Sequence, residues 1–249
     1  MLLRLKTSPF LHRHPIITKS LSPKPSLSFS AMAHQQTPAA TVEHVVLFKV
    51  RESADPAAMV SGLRSLASLN LTTHLSAGPI LRPLRSSAAA DLGFTHLLHS
   101  RYPSKDDLSL YAAHPDHVSV VKSLVLPNCD DIMAVDWVSQ APTLPPVPPG
   151  SAVRLTFAKP SQGSSAPELL SVIADSAAAY GGFLQLSYGE NFSPARAKGY
   201  EVAMVAVFPG VEEMEKASEG AEVAKEKLSP LLESVIVLDY IVPEANASL

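Results

Sequence analysis

The chain has 249 residues, of which 46% are hydrophobic, with a formal net charge of −3 and a pI near 6.3. This length suits two domains of about 100 residues each, and the lack of a basic excess argues against a nucleic-acid partner. The single cysteine, Cys129, excludes a disulfide framework and favours an intracellular setting. No apolar run is long enough to cross a membrane, so no membrane partner is expected.

The two ends of the chain carry different targeting signals. Residues 1–40 are rich in serine and basic residues and contain no acid, since the first acid is Glu43. This composition is typical of a transit peptide for a plastid or mitochondrion, and a disordered leader, bypassed by a start at Met32, is the alternative. The final tripeptide, residues 247–249, is similar to variants of the peroxisomal signal, which predicts a peroxisomal location through the import receptor, with the plastid or mitochondrion as the alternative.

Residues 41–139 are predicted to form one α+β domain. Strands are expected at 42–50, 71–80, 94–102 and 130–138, and helices at 56–69, at 105–113 and from Pro115. The first strand is apolar on both faces, so both faces of its sheet must be covered. Asp55 is a plausible N-cap for the first helix, and Pro115 suits the first turn of the last one.

Residues 140–150 form a proline-rich linker, predicted to be an extended spacer. A second domain at 151–243 is predicted to have strands at 152–159, 183–190, 200–208 and 235–242 and helices at 167–179 and 211–228. A short tail follows at 244–249.

The two domains are internal repeats, because four segments match in the same order. The matched pairs are residues 75–78 with 186–189, 94–104 with 200–210, 135–138 with 238–241, and Phe48 with Phe157. Each copy has the order β-α-β-β-α-β of ferredoxin-like folds. We expect the two copies to pack sheet to sheet as an intrachain pseudo-dimer, a closed α/β-barrel. A further homodimer is left open.

The segments 44–49, 111–117 and 135–137 resemble the stress-responsive α/β-barrel family of plants and bacteria, which belongs to the dimeric ferredoxin-like proteins. The tandem form with a leader is similar to the plant members assigned to peroxisomes. One member of the family is a polyketide cyclase that acts by intramolecular aldol condensation. The resemblance implies a catalytic Tyr111 and His117, with His44 and His96 as further pocket histidines.

These residue types suit that chemistry. A histidine can remove a proton next to a carbonyl, and a tyrosine hydroxyl can hold the carbonyl oxygen. His44 and His96 share strand parity with Phe48 and Phe94, so all four are predicted to line one apolar ligand cavity. We expect a small apolar or phenolic ligand, and no cofactor or metal.

Other interpretations of the same residues remain. The Tyr-x-x-His-Pro-x-His segment could serve only to fix the helix junction, with His114 and Pro115 as its structural members, or could hold a metal through His114, His117 and Asp116. Asp136 and Asp239 occupy corresponding strands, which favours a role in the fold. Cys129 has no nearby base in the sequence and is predicted to be a packing residue.

The second copy lacks the polar motif, so the ligand pocket is predicted in the first copy alone. The sequence pairs Tyr111 with Ala217, His114 with Gly220, His117 with Val223, His44 with Val153 and His96 with Val202. Three functions remain: a stress-associated binding protein, a cyclase-type enzyme, and a scaffold without a small ligand.

Overall fold

Two four-stranded antiparallel sheets form the centre of the computed structural model, which describes residues 40–141, 144–177, 181–219 and 222–244. The leader up to residue 39 and the final tripeptide lie outside these ranges. Within the described ranges, no helix has the length and apolar character needed to cross a bilayer.

Each half of the chain contributes one sheet with its helices. The first half contains β1 Val42–Val50, α1 Pro56–Ser65, β2 His74–Pro79, α2 Ser87–Leu92, β3 His96–Tyr102, α3 Lys105–Ala113, α4 Pro115–Val120 and β4 Cys129–Val138. The second half contains β5 Ala152–Pro160, α5 Ala166–Ala177, β6 Gln185–Glu190, β7 Val202–Phe208, α6 Val211–Glu219, α7 Glu222–Leu228 and β8 Leu232–Ile241. The strand orders are β2-β3-β1-β4 and β6-β7-β5-β8, which confirms the predicted ferredoxin-like fold.

Helix boundaries follow local capping. The Asp55 side chain accepts a hydrogen bond from the backbone N–H of Ala58 (3.0 Å) and so begins α1. The predicted helix at 56–69 ends in a 3₁₀ turn that stops at Asn70, whose φ is 55°. The sequence pattern missed α2, which is capped by Ser86. The helix predicted at 211–228 corresponds to α6 and α7, on either side of residues 220–221, which lie outside the described ranges.

The two sheets pack face to face, as predicted. Along β1, Val45 and Leu47 point into the core between the sheets, whereas Val46 and Phe48 point towards the helices. Alternate residues of a strand face opposite sides, so the apolar character of both faces has a direct explanation. The inter-sheet core is completed by Trp137 and by residues from strands β5, β7 and β8 of the second sheet.

A pseudo-twofold relation joins the halves, since each covers the edge strand of the other. The contacts come in matched pairs: Trp137 Nε1–H to Ser187 Oγ (3.1 Å) with the Tyr240–Ser76 hydroxyl pair (3.1 Å), and Phe192 N–H to Asp136 O (2.9 Å) with Leu81 N–H to Asp239 O (2.7 Å). Edge strands left open invite aggregation, and here the loops after β2 and β6 cover β8 and β4.

Strand pairing corrects one predicted correspondence between the halves. His44 lies opposite Asp136 on β4, and Arg154 lies opposite Asp239 on β8. The structural partner of His44 is therefore Arg154, not the predicted Val153. A shift of one residue moves every side chain to the other face, so this polar position of the first half has a polar counterpart in the second.

The linker packs against the barrel instead of serving only as a spacer. Arg101 donates to the carbonyl of Pro145 (2.7 Å), Gln185 donates to the carbonyl of Pro146 (3.3 Å), and Val147 is buried in the inter-sheet core. Residues 142–143 lie outside the described ranges.

Candidate functional site

A cavity of about 730 Å³ opens between the helix-facing side of the first sheet and helices α3 and α4. Its size falls within the usual range for small-molecule sites, about 300–1,000 Å³. The second half closes one side of it with the loop after β6. The lining residues are His44, Val46, Lys105, Leu108, Ser109, Tyr111, Ala112, His117, Ile132, Ala134, Phe192, Ser193, Ala195, Arg196 and Lys198.

His44 is held by a buried carboxylate at the floor of this cavity. The β1–β4 register places it directly opposite Asp136, and the Nδ1–Oδ1 distance is 2.5 Å. Arg196, from the second half, contacts the other oxygen of Asp136. Burial raises the pKa of Asp136, but the hydrogen bond and charge of His44 and the charge of Arg196 outweigh it and hold the pKa below its usual value.

An ionised Asp136 fixes the orientation of the His44 ring. The carboxylate accepts the Nδ1 proton, so in the neutral ring Nε2 is left as a hydrogen-bond acceptor. A hydrogen bond of this kind determines both the tautomer and the direction of the imidazole. His44 is therefore a proton acceptor whose ring cannot easily turn away from the cavity.

Tyr111 and His117 meet where α3 gives way to α4. The break comes from His114 and Pro115: the residue before proline avoids the helical region, and the His114 side chain then accepts from the backbone N–H of Asp116 (3.2 Å) to cap α4. The two rings are 4.6 Å apart between centroids. His114 thus has the structural role that one of the interpretations assigned to it.

The Tyr111 side chain is buried, and its hydroxyl has no hydrogen-bond partner among the described residues. Burial raises the pKa of Tyr111 to about 12, so the phenol is protonated at neutral pH. Leaving such a donor unpaired costs about 1–3 kcal/mol. Because Tyr111 lines the cavity, its hydroxyl is an unused hydrogen-bond donor beside it.

His117 is half-buried beside Tyr111. Its Nδ1 is 3.0 Å from the carbonyl of Ala112, and a carbonyl can only accept, so Nδ1 carries the proton. Burial lowers the pKa of His117, which favours the neutral ring. Its Nε2 is then an acceptor. Two imidazoles and one protonated phenol thus line the cavity.

Tyr102 packs against both Tyr111 and His44, and no sequence motif marked it as part of the site. Its ring lies 5.3 Å from that of Tyr111 and 6.3 Å, edge to face, from that of His44. Burial raises the pKa of Tyr102 strongly, and its hydroxyl pairs with that of Ser100 (3.1 Å). It packs the two functional rings in place.

The structure does not bring His96, Phe48 or Phe94 to this cavity, which departs from the prediction. His96 starts β3 opposite Phe48, four residues from Ser100, which pairs with His44. At about 3.4 Å per residue this separates the two histidines by about 13 Å. Phe48 packs under α1, in the core with Met59.

Phe94 precedes β3, so strand alternation does not govern its direction. It lies in the inter-sheet core with its counterpart Tyr200. The alternation of strand faces therefore predicted a common site for residues that lie at different positions along their strands or before the strand begins.

The structure also bears on the other candidate residues. Among the described residues, no group of three or more His, Cys, Asp or Glu side chains is placed to hold a metal, and His114 lies 3.9 Å from Asp116. Burial raises the pKa of the Cys129 thiol, which contacts the sulfur of Met59 (3.7 Å) in the core.

Sequence reasoning missed the contribution of the second half to the rim. Arg196 follows Pro194 by two residues, as Arg85 follows Pro83. This shared Pro-x-Arg pattern is a signal that could have identified both. Lys105 also crosses the mouth, with its ammonium 4.1 Å from the centre of the Phe192 ring.

Comparisons with a family model and with known plant proteins all point to one protein family. A family model for the stress-responsive A/B barrel domain matches residues 42–139, the half that holds the cavity just described. A stress-response A/B barrel domain-containing protein of Arabidopsis thaliana is 43% identical over 235 residues, covering 90% of this chain and 87% of the relative. A second Arabidopsis protein of the same description is 36% identical over 210 residues, covering 82% and 98%.

Solved structures with low sequence identity share the fold. A candidate monooxygenase from Fusobacterium nucleatum has a TM-score of 0.60 at 9% identity, covering 84% of this chain and 94% of its own. An anthrone oxidase-like protein has a TM-score of 0.54 at 14% identity, covering 84% and 95%. At these identities the similarity concerns architecture and not chemistry.

Proposed function

The chain belongs to the stress-response A/B barrel family, and from this membership we propose that it binds a small apolar or phenolic ligand in the first-half cavity. The observation that carries the proposal is the buried Tyr111 hydroxyl without a partner among the described residues, on a residue that lines the same cavity as His44 and His117. A hydroxyl or carbonyl on the ligand satisfies these groups. The apolar remainder of the ligand packs on Val46, Leu108 and their neighbours.

The charges at the mouth narrow the ligand class. Lys105, Arg196 and Lys198 line the opening, and no aspartate or glutamate is among the described lining residues. The nearby acids are already engaged, because Asp136 contacts Arg196 and Asp131 lies 2.9 Å from Lys198. These pairs leave Lys105 as the cation at the mouth that no carboxylate in this set matches, which favours ligands with an acidic group, such as phenolic acids, over amines.

The experiment is a thermal-shift screen of the full chain with substituted phenols and benzoates, followed by calorimetric titration of the best compound. His117→Ala is expected to weaken its binding about tenfold or more, a loss of about 1.4 kcal/mol. Val223→Ala is the matched control, because Val223 occupies the equivalent position in the second half and is 64% exposed. Equal losses in the two variants, or no binder in the whole panel, would contradict the proposal, and the second result would favour a scaffold role.

A second candidate function is aldol cyclisation, which the His44–Asp136 pair favours. In this reaction the Nε2 of His44 or His117 takes a proton from the carbon between two ketone carbonyls. The carbanion attacks a distant carbonyl carbon of the same chain, a C–C bond forms, and the resulting alkoxide receives a proton from Tyr111 or from the imidazolium. A phenol with its pKa near 12 stays protonated and can donate.

Turnover of a synthetic poly-β-keto thioester tests this candidate. His44→Gln should lower kcat at least about 100-fold, since general base catalysis contributes about that much or more. Binding of a non-reacting benzoate should fall far less in the same variant. A wild-type chain that leaves the thioester to cyclise at its uncatalysed rate would contradict the enzymatic candidate and leave the binding proposal intact.

A further inference from the structure

A second cavity, of about 640 Å³, lies on the helix-facing side of the second sheet. The sequence predicted a pocket in the first half alone, because the Tyr-x-x-His-Pro-x-His motif is missing here. Its lining includes the apolar residues Met204, Ala217, Leu228 and Val237 and the two arginines Arg85 and Arg154. Along its walls, apolar residues such as Phe208 and Ala217 replace polar ones of the first half.

The replacements remove the groups that transfer protons. Phe208 occupies the position of Tyr102, as the strand register shows, and Ala217 follows Phe208 at the same sequence distance as Tyr111 follows Tyr102. No histidine, tyrosine or cysteine is among the described lining residues, and the one carboxylate in that set, Glu233, is paired with Lys159 (2.6 Å). The cavity therefore suits binding and not acid–base chemistry.

One end of this apolar cavity carries two arginines around a single buried carboxylate. Arg154 donates to both oxygens of Asp239 (2.8 Å each), and Arg85, from the first half, donates to Asp239 Oδ2 (2.8 Å). Arg85 also contacts Glu215, whose side chain is 42% exposed. The two guanidinium groups, paired with these two carboxylates, form the polar end of an otherwise apolar cavity.

We propose that the second cavity binds a small amphipathic carboxylate, such as a medium-chain fatty acid. The acyl chain lies along the walls formed by Met204, Leu228 and Val237, where its burial is favourable. The carboxylate lies at the Arg85–Arg154 end, since guanidinium groups recognise carboxylates well. The first half supplies Arg85 on the loop before α2, so the site is complete only when both halves are docked.

Calorimetric titration of the full chain with dodecanoate tests the site, with two cavity-filling variants. Ala217→Trp fills the second cavity and should remove the binding event or weaken it about tenfold or more. Ala112→Trp fills the first cavity instead and should leave that event unchanged. Thermal melting of each variant checks that it is folded.

The anchor at the arginine end is tested separately. Arg85→Gln should weaken dodecanoate binding, while Arg196→Gln, at the equivalent place in the first half, should not. Dodecanol should bind more weakly than dodecanoate, and equal affinity would overturn the assignment of the carboxylate. Dodecanoate binding that survives in Ala217→Trp, or that is lost in Ala112→Trp instead, would overturn the site, as would no binding at millimolar dodecanoate. None of these results depends on the ligand proposed for the first half.

Discussion

At the Tyr111 hydroxyl, a single substitution should affect ligand binding without lowering the stability of the fold. It is buried without a partner among the described residues, whereas the hydroxyl of the equally buried Tyr240 contacts Ser76 (3.1 Å) and His99 (2.9 Å). Removing an unpaired hydroxyl frees the protein from a desolvation cost, while removing a paired one leaves its partners unsatisfied.

Tyr111→Phe is therefore expected to keep the free energy of unfolding or to raise it by up to about 1 kcal/mol, while it weakens ligand binding. Tyr240→Phe, the matched control, should lower the free energy of unfolding by about 1–2 kcal/mol. Urea denaturation measures both. A Tyr111→Phe variant destabilised as much as Tyr240→Phe would mean that the Tyr111 hydroxyl is a structural group.

At the scale of an element, two matched glycines show how closely the strands approach. A Cβ added at Gly189 on β6 would lie 2.4 Å from the carbonyl oxygen of Val138 and 2.9 Å from the Trp137 ring. The equivalent Gly78 on β2 is more open, because a Cβ there would be 3.7 Å from Pro243. The seam between β4 and β6 thus needs glycine, and the other seam does not.

Gly189→Ala should accordingly lower the free energy of unfolding by at least about 2 kcal/mol, because a backbone carbonyl cannot move aside like a flexible side chain. The free energy of unfolding of Gly78→Ala should stay within about 1 kcal/mol of the wild-type value. Alanine also reduces the conformational entropy of the unfolded chain, which favours the folded state. Thermal melts of the two variants make the comparison. Similar melting temperatures would refute the asymmetry of the seams.

Most of the elements could be predicted, because alternation, caps and the internal repeat all point to the same fold. The register between the halves could not, because β1 and β5 are apolar on both faces and offer no pattern to align. Matching Phe48 to Phe157 looked natural, yet Phe48 faces the helices and Phe157 faces the other sheet. The motif correctly grouped Tyr111 and His117, whereas Arg196 reaches the site only through the docking of the two halves.

At the scale of the whole molecule, a fully buried polar network crosses the inter-sheet core. Glu43 contacts His99 (2.6 Å) and Arg101 (2.9 Å), and the other nitrogen of His99 contacts Tyr240 in the second half. Burial raises the pKa of Glu43, but the charges of His99 and Arg101 outweigh it and lower the pKa to about 2. Burial lowers the pKa of His99 and, together with the charges of His99 and Arg101, lowers that of His74 to about 2.

His74 is therefore neutral in the folded protein, and acid should weaken the fold. Its unfolded pKa is 6.5, so below that pH the unfolded chain binds more protons, and stability is lost as the pH falls towards the folded value. At pH 5 a single histidine of this kind lowers the free energy of unfolding by about 2 kcal/mol. The Glu43 contribution is lost only below its unfolded value of 4.5, outside this window.

The free energy of unfolding, measured by urea denaturation, should be lower at pH 5 than at pH 7. In His74→Gln the fall should be smaller by about 2 kcal/mol. Gln185 already occupies the equivalent position in the second sheet, so glutamine suits this place in the fold. A variant with an unchanged pH dependence would show that His74 is not the group that titrates.

We propose above that the first-half cavity binds a small apolar or phenolic ligand. A crystal structure of the full chain soaked with phenolic and benzoate fragments is the sharpest test of that proposal. We expect density for a fragment in the cavity beside Tyr111 and His117, with an oxygen within hydrogen-bond distance of the Tyr111 hydroxyl and an acidic group towards Arg196. Fragments bound only elsewhere on the chain, or an empty cavity at saturating concentrations, would contradict it.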